Sequence, residues 1–423
     1  MAGPVVAGNP SAAPLDMNVR IRLSIMMFMQ FAIWGSWATV IGNYLKEKGF
    51  SESQIGTIGA MMPLGGMIGP VLLILSQLAD RFVPSQILMA VFHFVGAGCM
   101  YWVSTISSPD QYQMLFTAML VYALLYNMTL ALANSITFTH VDGERDFPGI
   151  RVFRTFGWIA AGLTLDYVLG SSTDPVFKRN TFLLLAAGLS VGLGVFSLLL
   201  PKTPPAGKPG DAFPFVQALR LFRDRSFAVF FVVSFIITIA LAFYYTFTGL
   251  YLAESHGFKQ IAATMSLGQF AEIGFLIALP FFLRTLGMKT VLLLGMFCWG
   301  LRYALFAISA GKPELSYLAV VGVLLHGICF DFFLAAAFIH VDKKAPKEIR
   351  ASAQALFGFL TYGLGMFLGN IAGGALAAEL KTVPVADGKF MVDWATFWWV
   401  PSIGVLVSMA IFAVAFREDE KKA

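Results

Sequence analysis

Apolar runs of about twenty residues, each closed by a short polar cluster, recur along this chain from one end to the other. Wound as helix, a run of that length crosses the ~30 Å hydrocarbon core of a bilayer. Barrel strands need only about ten residues, so helices are the form in which such runs satisfy their own backbone in lipid. Composition agrees, since 58% of the 423 residues are hydrophobic and 13% charged, against about 25% charged in a soluble domain. The expectation is an all-α polytopic membrane protein embedded in a lipid bilayer, with no nucleic-acid partner.

The breaks divide the chain into twelve transmembrane helices at about 21–44, 54–78, 86–105, 112–139, 150–170, 180–200, 226–252, 262–283, 290–310, 315–340, 351–378 and 394–416. Residues 1–20, rich in Pro, Ala and Gly, read as a disordered N-terminal tail. The segment 201–225 stands apart, with Pro201, Pro204, Pro205, Pro209 and Pro214 among basic residues. It reads as a cytoplasmic linker between an N-terminal six-helix bundle, 21–200, and a C-terminal one, 226–416, which a tail at 417–423 follows. Basic loop residues set orientation. Arg20, Arg22, Arg81, Arg145, the linker cations, Lys343, Lys344, Lys347 and Arg350 outnumber those on the opposite side, so both termini are expected in the cytoplasm.

The halves resemble each other. "HVDGERDFPGIR" (His140 to Arg151) follows the fourth span and "HVDKKAPKEIR" (His340 to Arg350) follows the tenth. A match recurring six spans later is what a parallel duplication requires, and it places any central site between two bundles. Cys99, Cys298 and Cys329 all lie inside apolar runs and show no metal-ligand or disulfide spacing.

Charges inside the spans are the functional pointers, because each costs about 2.5–3.5 kcal/mol at mid-membrane on insertion scales. They are Arg151 and Arg154 in span five, Glu272 in span eight, Arg302 in span nine and Asp331 in span ten. One reading is structural, with Arg302 neutralising Glu272 or Asp331. The other is a binding site. Arg151, Thr155 and Trp158 stand at i, i+4 and i+7, placing a guanidinium fork, a hydroxyl and an aromatic face on one stripe. Gln269 and Glu272 are one turn apart, and His326 and Phe330 are one turn apart with Asp331 adjacent. Span one adds Gln30, Trp34 and Trp37, which helix packing explains equally well, while His93 and Asp166 read as structural or wet. Aromatic faces with a few hydroxyls, amides and acids suit a small, uncharged, hydroxylated ring compound. Asp331 and Glu272 have a second use as proton-coupling groups, since burial and changing access to water control whether such an acid holds its proton.

At these residues the chain resembles a known family. The loop "LADRFVPS" and the six-plus-six plan are similar to the major facilitator superfamily. "MQFAIWGSWATVIGNYL", "DFPGIRVFRTFGWI", "AEIGFLIALPFFLRTLGMK", "LRYALFAIS", "HGICFDFFLAAAF" and "IRASAQALFGFL" resemble its nucleoside:proton symporters, in order from span one to span eleven. The resemblance implies a major facilitator fold and a transporter, not an enzyme: a proton-coupled symporter that imports nucleosides by alternating access in the bacterial inner membrane, as a monomer, with no cofactor or metal. It implies substrate contacts at Arg151, Thr155, Trp158, Gln269, Glu272, His326, Phe330 and Asp331. The span-seven positions where relatives carry a glutamine and an asparagine correspond to Ala242 and Tyr245, so Tyr245 joins the candidate site. The alternative cargo is another hydroxylated small molecule, a sugar or a nucleoside-like metabolite.

Overall fold

The structure is a computed structural model that describes residues 15–75, 83–141, 146–170, 180–204, 214–385 and 390–418. Most of the expected N-terminal tail, the Asp80-Arg81 core of the "LADRFVPS" loop, Arg145, the middle of the linker and the last five residues lie outside the described residues.

Helical segments fall on all twelve expected spans. Among the described residues, seven helices are long and apolar enough to cross a membrane, including Ser85–Thr105, Arg225–His256 and Trp394–Ala415. One of the seven, Ile261–Ser309, has 49 residues and contains two spans, because Gly287 at φ 78°, ψ 167° turns the chain inside it. Only glycine takes that backbone without strain. Past the turn, the Glu418 carboxylate accepts the backbone N–H groups of Met288 and Lys289 (3.0 and 3.1 Å) and so caps the second helix.

Several of the remaining spans run as more than one helical segment. The first runs as Met17–Gly35 and Ile41–Glu47, the second as Glu52–Gly59 and Met61–Leu75, and the fifth as Phe147–Arg151 and Phe153–Leu163. The helix at Met17 starts ahead of the expected boundary at 21, since Asp16 accepts the Asn18 N–H at 2.9 Å as an N-cap. Three π-helical turns, Thr164–Val168, Phe330–Ala335 and Phe359–Gly365, interrupt spans five, ten and eleven. Such turns recur at functional sites.

The described chain forms two compact units. One comprises residues up to Gly49 and Met61–Pro214; the other comprises Phe50–Ala60 and everything from Phe215 onward. The chain thus enters the second unit for eleven residues before the main crossing in the linker. Phe50–Ala60 is held there by close backbone approach, since a Cβ on Gly56 would meet Gly374 Cα at 2.7 Å. Beside that contact the Lys381 ammonium lies 3.2 Å from a carboxylate oxygen of Glu52.

Inside the first unit, Met17–Gly35 and Phe153–Leu163 cross where neither has a side chain: a Cβ on Gly35 would stand 3.0 Å from Trp158 Cα, and one on Gly157 would overlap the Phe28 carbonyl. Small residues let membrane helices approach this closely. The crossing is accompanied by a buried polar network. Gln30 donates its amide to Thr129 Oγ1 at 2.7 Å, the Thr129 hydroxyl donates to the Tyr126 carbonyl, and the His93 ring lies 3.0 Å from Gln30 Oε1. Since Gln30 Oε1 only accepts, His93 Nε2 is the donor.

Candidate functional site

The first unit holds the span-five stripe. Arg151 ends the short helix Phe147–Arg151 and is exposed, Thr155 is half-buried, and Trp158 is buried with its ring edge-on to Trp34 at 5.3 Å. Val152, between the helices Phe147–Arg151 and Phe153–Leu163, keeps helical dihedrals (φ −56°, ψ −28°), so the backbone runs on as helix from Arg151 towards Thr155. Arg154 turns inward, its guanidinium over the Phe31 ring at 4.3 Å, a cation–π contact suited to a desolvated place. The other aromatic and amide residues of span one are structural: Gln30 belongs to the network above and Trp37 Nε1 donates to Tyr122 Oη at 3.2 Å.

The second unit gathers Tyr245, Glu272, His326 and Phe330 around one imidazole. His326 is fully buried. Its Nε2 is 3.4 Å from Tyr245 Oη and 4.0 Å from Glu272 Oε2. Its ring stacks on Tyr244 (5.0 Å, 13°) and is flanked by Phe330 at 5.5 Å. Two glycines permit the assembly: a Cβ on Gly268 would stand 2.8 Å from His326 Cβ, and one on Gly327 would stand 2.5 Å from the Glu272 nitrogen. Spans eight and ten therefore touch backbone to backbone, and Glu272 reaches His326 while its side chain stays about one-fifth exposed.

Gln269, a turn before Glu272, is buried, and its Oε1 has no hydrogen-bond donor among the described residues. A buried acceptor in that condition costs about 1–3 kcal/mol until something donates to it. Asp331 is 1% exposed and sits in the π-helical turn Phe330–Ala335, so the run "LLHGICFDFFLAAAF" is not one regular helix. A π turn widens the helix locally and re-aims the side chains beside it.

Two further residues, Ala242 and Arg302, take their places from tertiary packing. Ala242 is fully buried, and the Cβ position of Gly369 lies only 2.7 Å from its own Cβ. It is a packing contact against span eleven, so of the span-seven pair only Tyr245 joins the cluster. Arg302, fully buried, donates through Nη2 to His326 Nδ1 at 2.8 Å and lies over the Tyr244 ring at 3.9 Å. Its alignment with His326 carried no signal in the sequence, since the two residues are 24 positions apart on different spans.

The sequence profile described as Nucleoside H+ symporter matches residues 17–421. YegT of Escherichia coli (strain K12) is 38% identical over 414 residues, covering 96% of this chain and 96% of its own. The xanthosine permease of the same organism is 31% identical, covering 95% and 96%. The crystal structure of the nucleoside transporter NupG superposes with a TM-score of 0.81 at 27% identity, over 95% of this chain and 100% of that one. A bacterial homologue of the human lysosomal transporter Spinster, at 13% identity and a TM-score of 0.71, shares the fold alone. The fold is that of the major facilitator transporters, and the chain belongs to the nucleoside H+ symporter family.

Proposed function

We propose that this chain imports nucleosides together with protons across the bacterial inner membrane by alternating access, with both termini in the cytoplasm. The excess of basic residues in the loops expected on the cytoplasmic side supports that orientation. The observation that carries the substrate reading is the second-unit cluster. Tyr245, His326 and Phe330 bring ring faces and edges together with the partly exposed carboxylate of Glu272, and Gln269 Oε1 is a buried acceptor awaiting a donor. A nucleoside supplies what these groups lack: a flat ring to stack, and ribose hydroxyls to donate to a carboxylate and an amide oxygen. Arg151, Thr155 and Trp158 are the substrate contacts of the first unit. Asp331 and Glu272 carry the coupled proton, Asp331 because an almost fully buried acid gains or loses its charge only when the surroundings change.

Purified protein screened by thermal shift against purine and pyrimidine nucleosides, free bases and sugars tests this reading, because a ligand of the native state stabilises by mass action. Nucleosides raise the midpoint and free bases do so less, as they lack the ribose. Stabilisation by a sugar and by no nucleoside would transfer the site to the hydroxylated-metabolite alternative.

A further inference from the structure

Arg302 is the charge that the proposed transport cycle leaves unused. It is fully buried in span nine, and a guanidinium has five donors and no acceptor. Its Nη2 lies 2.8 Å from His326 Nδ1. The hydrogen in that bond therefore belongs to arginine, Nδ1 carries its lone pair, and the ring's own proton sits on Nε2. Only one tautomer of His326 is compatible with the contact. A second proton on Nδ1 would set two donors and two positive charges face to face at 2.8 Å between two fully buried side chains, so the imidazole is also fixed as neutral.

We propose that Arg302 is a positioning residue for the substrate site: it locks His326 as a neutral Nε2–H donor that orients Tyr245 and Glu272, and it thereby excludes His326 from the proton path. The surroundings agree from every side. From span seven, Tyr244 stacks beneath both His326 and the Arg302 guanidinium, and Tyr245 Oη stands before Nε2 at 3.4 Å. From span eight, Glu272 Oε2 stands before the same nitrogen at 4.0 Å. On its own span Cys329, Phe330 and Asp331 are its neighbours in sequence. A purely structural histidine could present either nitrogen to this face, whereas the arginine allows one. The locked ring acts as a one-sided amide, accepting from Arg302 behind and donating toward the substrate in front.

This inference rests on the cluster being the substrate site, and the experiment separates the two. The full-length protein labelled with 15N in its histidine rings is examined by NMR, and His326 is identified by the signal lost in His326→Gln. The expected result is a single Nε2–H tautomer that does not titrate between about pH 5 and 8, where an ordinary histidine does. An Nδ1–H tautomer, or titration in that window, overturns the proposal whatever the cargo is. Uptake then reads the positioning role. His326→Gln offers an acceptor at one end of the side chain and a donor at the other, so its KM is expected to rise clearly less than that of His326→Leu, which rises about tenfold or more, with the parent's pH profile kept in His326→Gln. A changed pH dependence in His326→Gln would make His326 a proton carrier and contradict the proposal. Failure of the parent to transport nucleosides would sink the cargo assignment and leave the NMR result standing.

Discussion

Gly327 lies against the backbone of Glu272 so closely that a Cβ on it would stand 2.5 Å from the Glu272 nitrogen. Gly268 makes the matching approach from span eight to the His326 side chain. The meeting of Glu272 with His326 is therefore set by two backbones, and a side chain at either glycine separates them.

Gly327→Ala tests that dependence. The added methyl must push spans eight and ten apart, and overpacking of this kind costs about 1–3 kcal/mol. Detergent-purified Gly327→Ala is expected to melt below the parent and to bind nucleoside more weakly. An unchanged melting midpoint with unchanged affinity would show that the spans have slack and that their contact does not place Glu272.

Asp331→Asn separates binding from coupling. The amide keeps the volume and much of the hydrogen bonding of a protonated acid but cannot release a proton. Accumulation against a gradient is expected to be lost while equilibrative nucleoside exchange persists. Proton-driven uphill uptake at the parent's level would remove Asp331 from the coupling role.

Span seven supplies a contrast between two neighbours. Tyr245 fronts His326, whereas Ala242 is packed against Gly369. Tyr245→Asn is expected to change the ranking of purine and pyrimidine nucleosides in competition uptake by about tenfold for at least one member, the scale of one buried polar contact. Ala242→Gln is expected instead to lower the melting midpoint, because the longer side chain has no space. If Ala242→Gln folds normally and alters the ranking, Ala242 faces the substrate after all.

The positions of the twelve spans were legible in the sequence because burial in lipid demands long apolar runs, and those runs are visible without knowing their partners. The breaks were not. Residues 36–40 and the π turn around Asp331 contain no glycine or proline to mark a break, and the close approach of Gly35 to Trp158 adjoins the first of them. The same holds for the site. Unusual polar residues marked His326, Glu272 and Asp331, yet the partner of Arg302 could not be chosen among them from spacing, because helices 24 residues apart have no periodic relation. The packing of Ala242 was not legible for the complementary reason: which face of a wholly apolar helix meets span eleven depends on Gly369, not on span seven.

Outside the membrane, Asp224 gives a pH-dependent prediction. It caps the helix Arg225–His256 by accepting from Ser226 and Phe227 N–H, and it pairs with Lys344 at 2.8 Å. The hydrogen bond from Lys344 is the main influence holding its carboxyl below the usual carboxylate range, with the two backbone N–H groups assisting against partial burial. A depressed carboxyl stabilises the fold above its unfolded value of about 4, and that contribution fades as pH falls through the lower folded value. Asp224→Ala is expected to cost about 0.5–2 kcal/mol at neutral pH, with the gap to the parent narrowing in acid. Thermal unfolding of both proteins at a series of pH values checks it; a gap that widens in acid would contradict the ion pair.

The central claim, that this chain moves nucleosides with protons through the Glu272, His326 and Asp331 region, is tested most directly in proteoliposomes. Labelled nucleoside is offered outside vesicles whose lumen is more alkaline than the medium, with and without a protonophore. The account predicts accumulation above the external concentration, collapse of that accumulation with the protonophore, and its loss in Asp331→Asn with exchange retained. Nucleoside accumulation that is indifferent to the pH gradient, or none under any gradient, would contradict it.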